Sequence, residues 1–508
     1  MAKGLRFLCG KLLLLSSCCG LLFEGDRQKR LTPSSDYTVS IQGLPQFVYQ
    51  STADGLGMGS YAGINASFVY VPLAGRQPQA RQRVEVISTL PFKSAALRPR
   101  GSPAVRVVGQ SIFFDVDRPG KFILELDGDH EIATLATGLM IFADFRDDVR
   151  ADSDQPSVLH FGPGLHELPY DSEFGGRLLR LANDTTVHLD AGAVVLGYVR
   201  GDGLRNVTIR GPGILAASFW PGASIPPGQA KGASCGYFGP IALQISNSSD
   251  ITLDGFTIVH STSWNVKLES STNVHVRGLN IIAWQCMNDG IDVVSSQGVV
   301  IEGCFIRSND DAIALKGTDP TMETRDVLVQ DNVLWGQSYG NCMEIGFELW
   351  NAGVSNVSFI RNVCFHSARA AMSIHNAGHT AVHGIKYQDI TVEGVFSNDI
   401  SVDENQGLQL LDITIIAGRY SGPDLGRRGS VADVLFSNVT YHPNKIRYLF
   451  SRLLGNSSSH RISDVVFDHF RIGDSIISSL ADLNATSSFL GNVAFRTDRR
   501  TDQQGIFV

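Results

Sequence analysis

"NVHVRGLNII" (Asn273–Ile282) and, beginning 25 residues later, "GVVIEGCFIR" (Gly298–Arg307) share one layout. A turn residue is followed by an apolar, any, apolar triplet, a polar pair and a second apolar stretch. Further copies begin at Asn206, Asp250, Asp326, Asn356, Gly384, Asp433 and Asp464, and those from Asp250 to Gly384 lie 23, 25, 28, 30 and 28 residues apart. Self-similarity at this period marks a solenoid, in which a unit too small to bury its apolar face alone buries it against its neighbours. Alternation of two within each copy argues for strands, and neither a leucine ladder nor a 3.6-residue period is visible. The expected fold is therefore all-β, a right-handed parallel β-helix with three short strands and three turns per coil and coils about 4.8 Å apart. Two longer intervals, 44 residues from Asn206 and 49 from Gly384, mark either a weak coil or a loop insertion. The stretch 218–240, rich in Gly and Pro, is the clearest insertion, and long loops on a solenoid often wall a binding face.

Residues 37–150 carry alternating strands with no coil period, which predicts a small antiparallel β-sandwich ahead of a β-helix domain over 155–490. "GPGLHELPYDSEFGGRLLRL", from Gly162, opens the solenoid and is expected to cap its exposed end. Across 508 residues, 43% hydrophobic and only 18% charged, a large core is affordable, and 52 glycines suit many tight turns. A net charge of -8 disfavours nucleic acid or an anionic membrane as the main partner, and a monomer is expected.

The first 23 residues have the layout of a secretory signal, with Lys3, Arg6 and Lys11 ahead of an apolar run from Leu12 to Phe23 that is too short to span a bilayer. Eight N-x-S/T sequons, at Asn65, Asn183, Asn206, Asn247, Asn356, Asn438, Asn456 and Asn484, fit a secreted, extracellular glycoprotein. Beyond the signal remain Cys235, Cys286, Cys304, Cys342 and Cys364, enough for one or two disulfides and at least one free thiol. There is no C-x-x-C pair, so neither a zinc site nor any other cofactor is expected.

Between Gln285 and Gly317 lie two acidic islands, Asn288-Asp289-Gly290 and Asn309-Asp310-Asp311. Asp289 and Asp310 are 21 residues apart, about one coil, so a β-helix sets both islands at one corner of successive coils. Three carboxylates that close push their pKa values apart, which supplies the protonated acid and ionised base of glycoside hydrolysis. Aspartate also favours solenoid turns, and Asp184, Asp250, Asp326, Asp433 and Asp464 are expected to be turn formers of that kind. An adjacent Asp pair entering the strand "NDDAIALK" fits that role less well, because consecutive strand residues face opposite ways.

"NDGID", followed 21 residues on by "DDAIALK", resembles the N-T-D-G-I-D and G-D-D motifs of glycoside hydrolase family 28, the polygalacturonase family. The resemblance extends over roughly residues 155–480. It implies an inverting hydrolase in which Asp310 is the general acid while Asp289 and Asp311 hold and deprotonate the attacking water. The family's G-H-G histidine corresponds to Asn341, and its cationic R-I-K motif falls on Ala371-Met372-Ser373, so the usual grip on a galacturonate carboxylate is missing. Candidate substrate-binding residues are Asn288, Asn341, Glu344, Lys316 and His375, with further donors in Glu348, His366, Arg369 and His379. Trp264, Trp284, Trp335 and Trp350 are candidates for stacking on sugar rings. A sandwich ahead of the solenoid also resembles the family 49 dextranases, which act on neutral α-glucans. A lyase would need a base or calcium beside the carboxylates, and a non-catalytic surface rod is the third class.

Overall fold

At the first residue of every repeat copy the backbone turns left-handed, with φ of 57° at Asn206, 59° at Asp250, 54° at Asn273, 56° at Asp326, 50° at Asn356, 52° at Asp433 and 56° at Asp464. Glycine takes the same place at Gly298 and Gly384. Asn, Asp and Gly are the residues that tolerate this region at least cost, which is why the copies begin with them. The side chains also stack from coil to coil: Asn206 Nδ2 donates to Asp184 Oδ1 (2.9 Å), Asn356 Nδ2 to Asp326 Oδ1 (2.7 Å) and Asn492 Nδ2 to Asp464 Oδ1 (3.0 Å). All five aspartates expected to form turns have φ between 52° and 59°.

The computed structural model describes residues 31–52, 65–73, 81–127, 137–145, 157–217, 239–284, 287–336, 340–367, 369–395, 409–418, 420–424, 426–443 and 450–497. The signal segment, most of the 218–240 insertion, Cys235 and Cys286 lie outside the described residues. Three twelve-stranded sheets wind together. Sheet I runs from Val158–Phe161 to Val493–Arg496, sheet II from Gly164–Glu167 to Ser475–Ile476, and sheet III from Tyr170–Asp171 to Ala485–Ser488. Pairing is parallel except in short hairpins at the two ends, such as Tyr170–Asp171 with Gly176–Arg180. Arg205–Arg210 pairs directly with Ser249–Asp254, and Ala381–Gln388 with Ser430–Ser437. Both long intervals are therefore insertions, and no coil is skipped.

Inward-facing residues form one continuous core, and within it Phe359, Tyr387, Phe436, Phe467 and Phe495 stack with ring centroids 4.8, 5.1, 5.1 and 5.0 Å apart, close to the coil spacing. Cys342 and Cys364 form a disulfide, while Cys304 is free and buried, its thiol pushed up to about 12 by burial.

The N-terminal strands form a six-stranded and a five-stranded sheet around a separate core. Among the described residues they begin at Leu31, earlier than the alternation suggests, where Leu31–Pro33 pairs with Tyr49–Thr52. Pairing is antiparallel except where Leu139–Phe145 lies parallel to Asn65–Leu73. The outer face of the six-stranded sheet packs on sheet II, with Phe68, Ile123 and Phe142 against Phe305, Trp284, Trp335 and Phe365. Tyr70 to Thr257 (2.6 Å between oxygens) and His366 Nε2 to Glu125 Oε1 (3.0 Å) join the two parts. This docking removes Trp284, Trp335 and His366 from the candidate sugar contacts: each is buried under the sandwich, where apolar area is gained by covering sheet II. Among the described residues, sheets I and III are not part of this apolar interface.

The left-handed turns predict a substitution pattern. Asn273→Val places a β-branched residue at φ 54° and is expected to lower unfolding stability by about 1–2 kcal/mol, whereas Asn273→Gly, which loses only the exposed hydrogen bond to Asp250, costs less. Urea midpoints of the two variants check this.

Candidate active site

In sheet III, Ile291 pairs with Ile313, Ile313 with Met343 and Met343 with Met372. Two places before each lie Asp289, Asp311, Asn341 and Ala370, and one place earlier Asn288, Asp310, Gly340 and Arg369. The acidic islands thus occupy one corner of adjacent coils, and Gly290 N donates to Asp311 O (2.8 Å) and Ala312 N to Asn341 O (2.8 Å) across it. Glycine lets the corner close. A Cβ on Gly290 would meet Ala312 O at 2.3 Å, and one on Gly340 would meet Asp310 O at 1.9 Å. None of the three aspartates has a positive φ, so they stand apart from the turn-forming ladder.

Each carboxylate has its own surroundings. Asp289, only 3% exposed, meets Lys316 Nζ at 2.8 Å through Oδ2, and its Oδ1 has no hydrogen-bond partner among the described residues. Lys316 Nζ also lies 2.7 Å from Asp292 and 3.8 Å from the Trp264 ring centre. Burial alone would depress this ammonium, but Asp289, Asp292, Glu348 and Asp311 outweigh it and hold its pKa well above the lysine value. Asp292 is fully buried, and burial together with Asp289 raises its carboxyl well above the usual range despite Lys316. Asp311 Oδ1 accepts both the backbone N–H and the side-chain Nδ2 of Asn341, each at 2.8 Å. Its pKa is also raised well above normal, by burial first and then by Asp310, Glu344 and Asp289. Asp310 is half-buried; burial and Asp289 push it up to about 7, against the pull of Lys316 and Arg369.

Further along the outward face of sheet III a second network follows. His375 lies between Glu344 (Nδ1 to Oε1, 2.9 Å) and Asp412 (Nε2 to Oδ2, 2.8 Å), and Arg452 Nε donates to Asp412 Oδ1 (3.1 Å). Burial would lower the imidazole pKa, but the two carboxylates raise it to about 10, so His375 is a cation at neutral pH. The Phe347 ring stacks on it at 4.3 Å, with Tyr420 beyond at 5.4 Å.

All eight sequence-derived site residues converge on this corner and face. Asn288 is wholly buried, its amide directed at the carbonyls of Ser261 and Ser263, while Asn341, Glu344, Lys316 and His375 each engage a carboxylate or cation of the protein. Sequence reasoning missed Asp292, Asp412, Phe347 and Tyr420. Asp292 was legible as the last residue of "NDGID", three places on from Asp289; the other three belong to no motif.

Residues 176–407 match the family described as glycosyl hydrolases family 28. A probable polygalacturonase of Vitis vinifera is 34% identical over 87 residues, covering 17% of this chain and 18% of the relative. An endo-polygalacturonase of Pectobacterium carotovorum subsp. carotovorum is 29% identical over 171 residues, or 31% and 38% of the two chains. The chain thus spans well under half the length of these relatives. Among solved structures, Dex49A from Penicillium minioluteum has the same fold over 92% of this chain and 95% of its own, with a TM-score of 0.65 at 15% identity.

Lys316→Met would leave Asp289 and Asp292 buried without their shared cation. Because the folded pKa of Lys316 is raised, its contribution is fully present below the ordinary lysine value and fades above it. At pH 7 the variant is expected to lose about 3 kcal/mol, read as a lowered urea midpoint.

Proposed function

We propose that the protein is a secreted glycoside hydrolase that cleaves a polysaccharide with inversion at the anomeric carbon, using Asp310, Asp289 and Asp311. The observation that carries this reading is the coil register, which gathers three aspartates outside the turn-forming ladder and leaves Asp310 with a pKa of about 7. Asp310 is the least enclosed of the three and donates its proton to the glycosidic oxygen as the bond to the anomeric carbon breaks. A water held between Asp289 and Asp311 attacks the opposite face and passes its proton to Asp289, the member of the pair that Lys316 contacts. Lys316 and Asn341 keep the two carboxylates in place rather than gripping sugar, and Asn288 shapes the corner. Trp264 and the Phe347–Tyr420 pair, all half-buried, offer stacking faces on either side.

The sugar at the point of cleavage is neutral in this reading. Among the described residues of the site, the carboxyl groups of Asp289, Asp292, Asp310, Asp311, Glu344, Glu348 and Asp412 outnumber the cations Lys316, Arg369, His375 and Arg452. Lys316, His375 and Arg452 are each already paired to one or two of these acids, which leaves little attraction for a polyuronate. Fold agreement with Dex49A across both the sandwich and the β-helix supports the same choice of a neutral α-glucan. Polygalacturonate is the second reading, favoured by the family 28 match and by Arg369, whose charge reaches Asp310. The N-terminal signal pattern and the sequons support secretion.

A reducing-sugar screen over pectic, α-glucan and algal polysaccharides tests the substrate, and release from polygalacturonate alone would overturn the neutral-sugar reading. On the substrate so found, Asp310→Asn should lower turnover by roughly 10²–10⁴-fold while binding persists. An unchanged rate would remove Asp310 from the chemistry. Because the acid must be protonated and its pKa is raised to about 7, wild-type kcat should fall as pH rises past 7. A rate constant to pH 9 would contradict that assignment.

A further inference from the structure

Far from the acidic corner, at the N-terminal end of sheet I, His160 and His188 occupy paired positions on the first two strands, Val158–Phe161 and Thr186–Leu189. Two residues after His188, at the turn leaving that strand, Asp190 is anchored by its own N–H to Phe161 O (2.9 Å). Asp190 Oδ1 lies 3.0 Å from His160 Nε2 and 3.1 Å from His188 Nε2, and the three ligand atoms all fall within 4.8 Å of one another. We propose that His160, His188 and Asp190 form a binding site for a divalent transition metal of the zinc type, which ties the first coil of the solenoid to the second.

The distances suit such an ion. With metal–nitrogen and metal–oxygen bonds of about 2.0–2.1 Å, neighbouring ligands of a tetrahedral centre stand about 3.3 Å apart, so each Asp190–histidine distance need open by only a few tenths of an ångström. Two imidazoles and a single carboxylate oxygen select zinc, cobalt or nickel over calcium or magnesium, which require more oxygen ligands. His188 is buried while His160 is exposed, so the ion enters from the solvent side and water completes its coordination. Arg210 follows His188 in the same cross-strand row and puts a positive charge on the far side, which favours a site of moderate rather than extreme affinity. A search for cysteine pairs passes over this group, because its ligands sit on successive coils and meet only through the parallel register.

The test uses the full-length protein without a histidine tag, treated with chelator and then titrated with zinc chloride or calcium chloride. Zinc should raise the thermal midpoint by about 2 °C or more and calcium should not; cobalt should give the visible absorbance of a tetrahedral centre. His160→Gln, at an exposed position, should keep the metal-free midpoint but lose the zinc shift, and Asp190→Asn should lose it too. No zinc shift in the wild type, or an equal shift in His160→Gln, overturns the proposal.

Discussion

The parallel hydrogen-bond register between successive coils is the constraint from which the rest follows. Because Ile291 is held opposite Ile313 and Ile313 opposite Met343, every corner side chain meets its counterpart one coil away, at the spacing of neighbouring strands. The same register gives opposite results at different corners. At the corner entering sheet I it stacks Asn and Asp into a ladder in which side-chain amides donate to carboxyl oxygens one coil away. At the corner entering sheet III it stacks Asp289 against Asp311, with Asp310 beside them, a like-charged set that is unfavourable unless protons and counter-charges are shared out.

The protein absorbs that cost with particular residues. Lys316 lies between Asp289 and Asp292, Asn341 supplies two donors to Asp311, and Gly340 permits the backbone approach that brings Asp310 to the rim. Buried carboxylates without such partners would be expelled by desolvation, each at a cost of several kcal/mol. Of the raised carboxyls Asp310 is the least enclosed, and it stands beside Asp289 with its Lys316 partner, which suits the proposed division of labour in glycoside hydrolysis.

Much of this was legible in the sequence because it is local. Alternation within each copy gave the strands, the first residue of each copy gave the turns, and a spacing near one coil gave the acidic corner. What was hidden depends on contacts between distant segments. Whether the 44- and 49-residue intervals were weak coils or insertions could be decided only by which strands pair. The docking of the sandwich on sheet II, where Phe142 meets Phe305 with ring centres 5.2 Å apart, leaves no periodic trace, and so Trp284 and Trp335 looked like sugar platforms when they are interface core. Asp412, which with Glu344 makes His375 a cation, lies 37 residues beyond that histidine across an insertion, and no motif announces it.

The central claim is that this register builds an acid and a separate water-activating pair, not an acid and a nucleophile. The most direct measurement is proton NMR of the products in the first minutes of hydrolysis, before the sugar mutarotates, on whichever polysaccharide the protein cleaves. The account predicts that the new reducing end appears with its anomeric configuration inverted relative to the bond cleaved. Retention of configuration would mean a covalent glycosyl intermediate on one of the aspartates and would contradict it.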